Sequence, residues 1–132
     1  MGTSMAVNRE GYSSVYLSEA VVHNGIIYCS GKVGLDATTG ELVSDDAGQQ
    51  TGAALTLIES VLRAAGSDLG KLLKVNISLT SRADFEAMNA VYVQRIPDPK
   101  PARACVTVTE LGKGAKVEIE ATAYIENPAL GL

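Results

Sequence analysis

Short stretches of alternating apolar and polar residues, separated by turn signals, predict strands in the first third of the chain. Residues 16–22 and 26–30 are rich in β-branched and aromatic side chains, which favour strands. Asn24-Gly25 lies between them and supplies the positive φ angles of a two-residue hairpin turn. Residues 35–43 contain a second turn signal and predict an exposed loop or a small hairpin.

Helical spacing replaces alternation further along the chain. Apolar residues recur every three or four positions over 47–65, preceded by polar capping candidates at 44–46 and followed by Gly66. A second helix is predicted to open at 81–84 and to end by Ile96, because three prolines follow in close order. Alternation returns in three further predicted strands, at 72–80, 103–108 and 117–125.

The element order ββ(β)αβαββ predicts an α+β fold of two layers, a mostly antiparallel mixed sheet with both helices on one face. In the last two strands we expect Ala104, Val106 and Val108 to face the helices. The opposite face is then expected to hold Arg103, Cys105, Thr107, Thr109, Glu118, Glu120, Thr122 and Tyr124. Because a mixed face of this kind usually meets a partner, the pattern predicts a homo-oligomer.

The length of 132 residues predicts one domain, which we place at 15–132. Residues 1–14 are small and polar and are interpreted as an N-terminal tail. One hypothesis is that the Gly-Thr-Ser between Met1 and Met5 derives from an expression vector. The sequence shows neither a secretory signal pattern nor an apolar run long enough to span a membrane.

Charge and composition narrow the possible chemistry. Eleven basic and fifteen acidic residues give a net charge of -4, and the basic residues are scattered, so no nucleic-acid partner is expected. Cys29 and Cys105 predict free, half-buried thiols and a reducing compartment. His23 is the only histidine and follows no metal-ligand spacing, so no metal site is expected.

Arg103 and the two glutamates Glu118 and Glu120 are expected on neighbouring strands. One interpretation is a cross-strand ion pair, worth roughly 0.2–1 kcal/mol. The other is functional: the planar guanidinium of Arg103 holds a substrate carboxylate while a partly desolvated glutamate transfers a proton. Spacing alone leaves both interpretations open.

A long gapped motif lies near the C-terminus: Pro-Ala-Arg-Ala-Cys-Val-Thr-Val at 101–108, Leu-Gly at 111–112, and Lys-Val-Glu-Ile-Glu-Ala at 116–121. It closely resembles the signature of the reactive intermediate deaminase family, the Rid or YjgF-like proteins, also named for endoribonuclease L-PSP. Further matching positions lie in order along the chain, at Ser30-Gly31, Thr39–Leu42, Gln50-Thr51, Asp84-Phe85, Asn89 and Tyr92. The resemblance spans about 16–125 and, because Arg103 is present, favours the 2-iminobutanoate/2-iminopropanoate deaminases.

The resemblance implies a chorismate-mutase-like fold, assembled as a homotrimer whose sheets form a central barrel with sites between subunits. It implies cofactor-free hydrolysis of reactive enamines and imines, such as 2-aminoacrylate and 2-aminocrotonate, to 2-keto acids and ammonia. The implied partner is therefore a small 2-imino or enamine acid, with no nucleic acid and no membrane. A cytoplasmic location is expected, with an organelle left open.

The resemblance also implies roles for particular residues. Arg103 matches the arginine that pairs with the substrate carboxylate, and Glu118 the glutamate that positions water and moves its proton. Cys105 matches a residue that lines the site through its backbone. Ser30 and Asn89 match polar residues of the cleft.

The N-terminal site tyrosine is assigned to Tyr16, with Tyr12 as the alternative because the spacing around Tyr16 is one residue long. Three departures from the family pattern bear on cleft shape: Lys32 in place of glutamine, Leu57 in place of asparagine, and a short loop at 95–101.

Four alternative functions are kept beside the leading one. They are a ribonuclease or translation inhibitor, a small-carboxylate-binding protein, a holdase, and a pathway-specific deaminase of an aminomuconate-like compound.

Overall fold

The computed structural model describes residues 3–126; residues 1–2 and 127–132, at the ends of the predicted tail and domain, lie outside it. Two helices lie on one face of a six-stranded sheet, which confirms the α+β prediction. The elements are β1 (Met5–Val7), β2 (Ala20–His23), β3 (Ile26–Val33), α1 (Ala47–Ala64), β4 (Leu72–Leu79), α2 (Phe85–Arg95), β5 (Ala102–Thr107) and β6 (Val117–Tyr124). The sheet order is β1-β2-β3-β6-β4-β5, and among these strands only β4 and β5 pair in parallel.

The N-terminal hairpin has the predicted turn but shorter strands. Asn24 and Gly25 adopt φ angles of 52° and 77°, as a type I′ turn requires. The first hairpin strand begins at Ala20 rather than at residue 16, and directly before it Glu19 N donates to Asn8 Oδ1 at 2.7 Å instead of pairing in the sheet. That segment was interpreted as a tail, yet Met5–Val7 pairs with β2 and forms an edge of the sheet.

Helix α1 packs closely against the sheet at its N-terminal end. Its N-cap is Asp46, whose carboxylate accepts a hydrogen bond from Gln49 N at 2.8 Å. Gly34 lies so close to the first turn that a Cβ there would be 2.4 Å from the Gln50 carbonyl oxygen. The buried Gln50 amide donates to Ser44 O and accepts from Lys116 N, both at 2.8 Å. These contacts fix the helix start against the end of β3.

The hydrophobic core lies between the sheet and the two helices. Burial of each large apolar side chain contributes roughly 1.5–3 kcal/mol relative to exposure. The fully buried members include Ile27, Leu55, Ile58, Leu62, Ile77, Leu79, Met88 and Ile119. Across residues 3–126, neither helix is both long enough and apolar enough to cross a lipid bilayer.

The two faces of β5 are the reverse of those expected. The parallel register places Arg103 beside Val75 and Cys105 beside Ile77, and both partners point into the core. Arg103 and Cys105 therefore lie on the helix side, whereas Val106 is 56% exposed on the outer face. Alternation alone defines two faces of a strand but does not say which one the helices cover, and here the outer face is also apolar.

The outer face of the sheet carries exposed apolar side chains. Tyr28 and Val106 are 52% and 56% exposed, and Leu73 is 42% exposed. Alternation over 72–80 places Leu73 on the same face as Val75, Ile77 and Leu79, but an irregularity between Leu72 and Lys74 turns Leu72 inward and Leu73 outward. Apolar side chains gathered on one face in this way are typical of a surface that meets another molecule.

Candidate functional site

A pocket of about 460 Å³ lies between α2 and the edge strand β5, and we call it the Arg103 pocket. Its lining residues are Asn89, Ala90, Tyr92, Val93, Lys100 and Arg103. Arg103 reaches it from β5 and donates through Nη1 to Asn89 Oδ1 at 2.6 Å. Asn89, which the family resemblance assigns to the cleft, thus lies beside Arg103.

Aromatic rings hold the guanidinium of Arg103. Its central carbon lies 4.9 Å from the centre of the Tyr92 ring and 5.9 Å from that of Phe85. Burial raises the pKa of the Tyr92 phenol, and the nearby charge of Arg103 partly offsets this effect. Within residues 3–126, the Tyr92 hydroxyl has no hydrogen-bond partner.

The charge of Arg103 is not balanced by a carboxylate. Among the ion pairs of residues 3–126, none includes Arg103. Lys100, the other cation of the pocket, donates to the carbonyl oxygens of Val93 and Ile96 at the end of α2. A partly buried arginine with an amide as its polar partner is suited to bind an anion, and its planar fork matches a carboxylate.

A second cavity, of about 420 Å³, contains Glu118, and we call it the Glu118 cavity. Its lining residues include Arg9, Tyr12, Gly31, Lys32, Lys113 and Glu118. Glu118 extends from β6, next to an irregularity in β3 between Cys29 and Lys32. A Cβ at Gly31 would lie 2.9 Å from the carboxyl carbon of Glu118, so glycine is needed there for the carboxylate to occupy its position.

Arg103 and Glu118 lie on opposite faces of the sheet within one protomer. On β4 the neighbour of Arg103 is Val75, and the neighbour of Glu118 is Ser78, three residues along. Residues separated by an odd number on a strand point to opposite faces. The expectation that both side chains share one face is therefore wrong, and the two cavities have no lining residue in common.

The remaining predicted site residues occupy different environments. Cys105 follows Arg103 on the same face of β5 and packs against the core. Ser30 donates through its hydroxyl to Ser18 O at 2.7 Å, so it fastens the chain before β2. Tyr12 lines the Glu118 cavity, whereas Tyr16 is 91% exposed.

A buried ion cluster beside the Glu118 cavity was missed by sequence reasoning. Glu19 is fully buried, and its carboxylate binds both Arg9 and Lys32. Burial alone would raise the pKa of the Glu19 carboxyl, but the hydrogen bonds from Arg9 and Lys32 outweigh it and lower the pKa to about 2. Nearby, burial raises the pKa of the Cys29 thiol to about 11, so Cys29 is an unreactive thiol.

The fold and the two cavities define a small α+β protein with a cationic pocket on one face of its sheet and a carboxylate-bearing cavity on the other. The family model described as Endoribonuclease L-PSP matches residues 9–125. The chain belongs to this family, which confirms the resemblance carried by its C-terminal motif.

Three relatives illustrate the range of the family. The chain is 41% identical over 127 residues to "Protein mmf1, mitochondrial" of Schizosaccharomyces pombe, covering 93% of this chain and 77% of that protein. It is 42% identical over 106 residues to the 2-iminobutanoate/2-iminopropanoate deaminase of Capra hircus, covering 80% and 77%. The crystal structure of RidA from the Antarctic bacterium Psychrobacter sp. PAMC 21119 matches with a TM-score of 0.85 at 35% identity, covering 92% and 99%.

Proposed function

We propose that this protein hydrolyses imines and enamines of small 2-amino acids to 2-keto acids and ammonia. The observation that carries the proposal is the unbalanced charge of Arg103 in a pocket of about 460 Å³. The relative from Capra hircus is named for this reaction, and it supports the same assignment here. Compounds such as 2-aminoacrylate and 2-aminocrotonate carry the carboxylate that Arg103 is suited to bind, and they are small enough to enter the pocket.

In this proposal Arg103 binds the substrate carboxylate through two parallel hydrogen bonds, which fixes the plane of the imine. Glu118 accepts a proton from water as the water oxygen bonds to the imine carbon and the C=N electron pair moves to nitrogen. Glu118 then returns the proton to that nitrogen, which gives an amino alcohol. Next, Glu118 takes the hydroxyl proton and passes it to the nitrogen as the C=O bond forms and the C–N bond breaks, which releases ammonia and leaves the keto acid. One carboxylate serves as base and then as acid.

We further propose that the site forms between copies of the chain, in a homotrimer. Two observations support this arrangement. Arg103 and Glu118 lie on opposite faces of the sheet, so one protomer does not bring them to the same substrate. Val15 and Tyr16 are 92% and 91% exposed, which is typical of side chains that a neighbouring copy covers. Tyr12 then belongs to the Glu118 side of the site, and Tyr16 extends toward the neighbour.

The reaction is tested with threonine dehydratase as the source of 2-aminocrotonate and semicarbazide as a competing trap. The wild-type protein is expected to reduce the trapped product and to speed formation of 2-ketobutyrate, whereas Arg103→Ala is not. Binding of 2-ketobutyrate that requires Arg103, without turnover, would instead indicate a carboxylate-binding protein. Absence of both effects would contradict the proposal.

Mixed trimers test whether the site is shared. Arg103→Ala and Glu118→Gln are each expected to be inactive, but unfolding and refolding them together allows one copy to supply Arg103 and the next Glu118. Random assembly from equal amounts of a cyclic trimer restores about a quarter of the sites. Recovery of about that fraction of wild-type activity is expected. No recovery, with mixed trimers shown by mass spectrometry, would place both residues in one protomer's site.

A further inference from the structure

The buried carboxylate of Glu19 accepts hydrogen bonds from two cationic side chains and from one backbone amide. It accepts from Arg9 N at 2.8 Å, from Arg9 Nε at 3.0 Å to each oxygen, and from Arg9 Nη2 at 2.6 Å. Lys32 Nζ binds the second carboxylate oxygen. The side chain of Lys32 is 11% exposed and that of Glu19 is fully buried. We call Arg9, Glu19 and Lys32 the Glu19 cluster.

The Glu19 cluster closes the segment between β1 and β2 into a loop. Arg9 lies at the start of this segment and Glu19 at its end, and Glu19 N also donates to Asn8 Oδ1 at 2.7 Å. Ser30 N donates to Glu19 O at 2.9 Å, which fastens the end of the loop to β3. The Glu19 carboxylate therefore acts together with Asn8 and Ser30 to hold segment 8–19 on the sheet.

This loop forms part of the wall of the Glu118 cavity. Arg9, Tyr12 and Lys32 all line the cavity, and Lys32 Nζ lies 4.9 Å from the centre of the Tyr12 ring. Of the three cations that line the cavity, Arg9 and Lys32 bind Glu19, and Lys113 donates to Gly40 O at 3.2 Å. No ion pair of residues 3–126 includes Glu118. Glu19 thus binds two of the three cations that share a cavity with the glutamate that our mechanism uses.

We propose that Glu19 is a positioning residue for the reaction: it binds Arg9 and Lys32, holds Tyr12 in the cavity wall, and leaves the Glu118 carboxylate free of an ion pair. This inference rests on the proposed function. Without the Glu19 charge, the Lys32 ammonium needs another carboxylate, and the two that line the same cavity are Asp36 and Glu118. A glutamate paired in this way is a poorer base for the attacking water.

The test compares Glu19→Gln with the double variant Glu19→Gln/Lys32→Gln, which removes both charges and keeps two amides able to hydrogen-bond each other. Glu19→Gln is expected to lower kcat at least about tenfold. Little change in KM is expected, because Arg103 binds the substrate carboxylate in the other pocket. The kcat of the double variant is expected to recover to within about threefold of the wild-type value. Glu59→Gln, which removes a surface carboxylate, serves as the control.

Two kinetic results would overturn the inference. One is a folded Glu19→Gln trimer with kcat within twofold of wild type. The other is a double variant no more active than Glu19→Gln, since the loss would then come from the altered loop rather than from the freed lysine. Circular dichroism and sedimentation on each variant establish that it is folded and assembled before the rates are compared.

Hydrogen exchange separates failure of this inference from failure of the proposed function. Glu19→Gln is expected to speed exchange of the Arg9 amide and of other amides in 8–19, while amides of β6 keep their protection. This result requires no turnover, so it applies even if the wild-type protein fails to hydrolyse imines. Unchanged exchange at Arg9 would show that Glu19 does not hold the loop.

Discussion

Two pairs of cations line cavities of similar size, and they differ in their counter-charges. Arg9 and Lys32 both bind the buried carboxylate of Glu19. Arg103 and Lys100 line a pocket without a carboxylate among its lining residues. A charge removed from water is costly unless it is paired. The protein itself pairs Arg9 and Lys32, and Lys100 lies 3.6 Å from Asp98, so Arg103 is the cation that keeps binding capacity for an anion.

The difference also lies in what replaces water around each cation. Lys32 has a full ion pair, whereas Arg103 has two aromatic faces and one amide oxygen. Aromatic contacts offset part of the lost hydration and hold the guanidinium in one plane without neutralising it. Arg103 is therefore oriented and still charged, which is the state that recognition of a carboxylate needs. Four predictions test this comparison.

The largest effect is expected at Arg103. Arg103→Ala removes the carboxylate contact and is expected to lower kcat/KM about 10³-fold. Arg103→Lys keeps the charge but loses the planar fork, and a loss of about 10- to 100-fold is expected. Steady-state rates with dehydratase-generated 2-aminocrotonate measure both variants.

Stability measurements on the same variants show whether Arg103 is also needed for the fold. Because no ion pair of residues 3–126 includes Arg103, urea unfolding of Arg103→Ala is expected within about 1 kcal/mol of wild type. A loss of several kcal/mol would mean that Arg103 supports the structure in the same way as the Glu19 cluster. The contrast between the two regions would then fail.

The second effect is acid destabilisation through Glu19. Its carboxyl has a pKa of about 2 in the folded chain against an ordinary 4.5, so the unfolded chain binds the proton more readily. The resulting stabilisation, about 3 kcal/mol, is complete above pH 4.5 and is lost as the pH falls through 2. Urea unfolding at a series of pH values between 2 and 6, at fixed protein concentration, measures it.

Glu19→Gln is the matched control for this acid dependence. The variant is less stable at neutral pH, but its stability is expected to fall by about 3 kcal/mol less than that of wild type over the same pH range. Equal slopes for the two proteins would assign the acid sensitivity to other carboxylates. Such a result would leave Glu19 paired in the structure but without the expected effect on stability.

The fold was largely predictable from the sequence because its signals are local. The Asn24-Gly25 turn, the stop at Gly66 and the prolines after Ile96 each act through backbone geometry within a few residues. The orientation of β5 was not predictable in this way. Val106 is apolar yet exposed, because the outer face of the sheet is itself an apolar surface, and alternation cannot tell such a face from the core.

The site was predictable as a set of residues but not as an arrangement. The C-terminal motif singles out Arg103 and Glu118, whereas the pairing register that places them on opposite faces appears in the structure alone. The Glu19 cluster left a weaker signal. A two-residue turn at 24–25 pairs Ala20 with Cys29, which brings Glu19 next to Ser30 and near Lys32. The presence of Arg9 in this cluster was not predictable, because it depends on the conformation of segment 8–19, whose sequence has no helical or strand periodicity.

A smaller effect is expected at Tyr92, whose hydroxyl is buried without a partner among residues 3–126. An unsatisfied buried hydroxyl is costly, so Tyr92→Phe is expected to raise the free energy of unfolding by about 1 kcal/mol. The ring that contacts Arg103 is kept, and substrate affinity is therefore expected to remain within about threefold. A clear rise in KM would show that the hydroxyl contacts the substrate, and a loss of stability would contradict the argument.

The smallest effect is expected for a paired carboxylate that is not buried. Glu59 lies 3.3 Å from Arg63 on the same helix and 3.9 Å from Arg95 on the other, and its side chain is 31% exposed. Solvent and salt screen such pairs, so Glu59→Gln is expected to cost about 0.5 kcal/mol or less. In 0.5 M NaCl this difference should vanish, whereas most of the cost of Glu19→Gln should persist because salt screens a buried carboxylate much less. A salt-insensitive loss at Glu59 would show that pairing, rather than burial, decides how strongly a charge holds this fold.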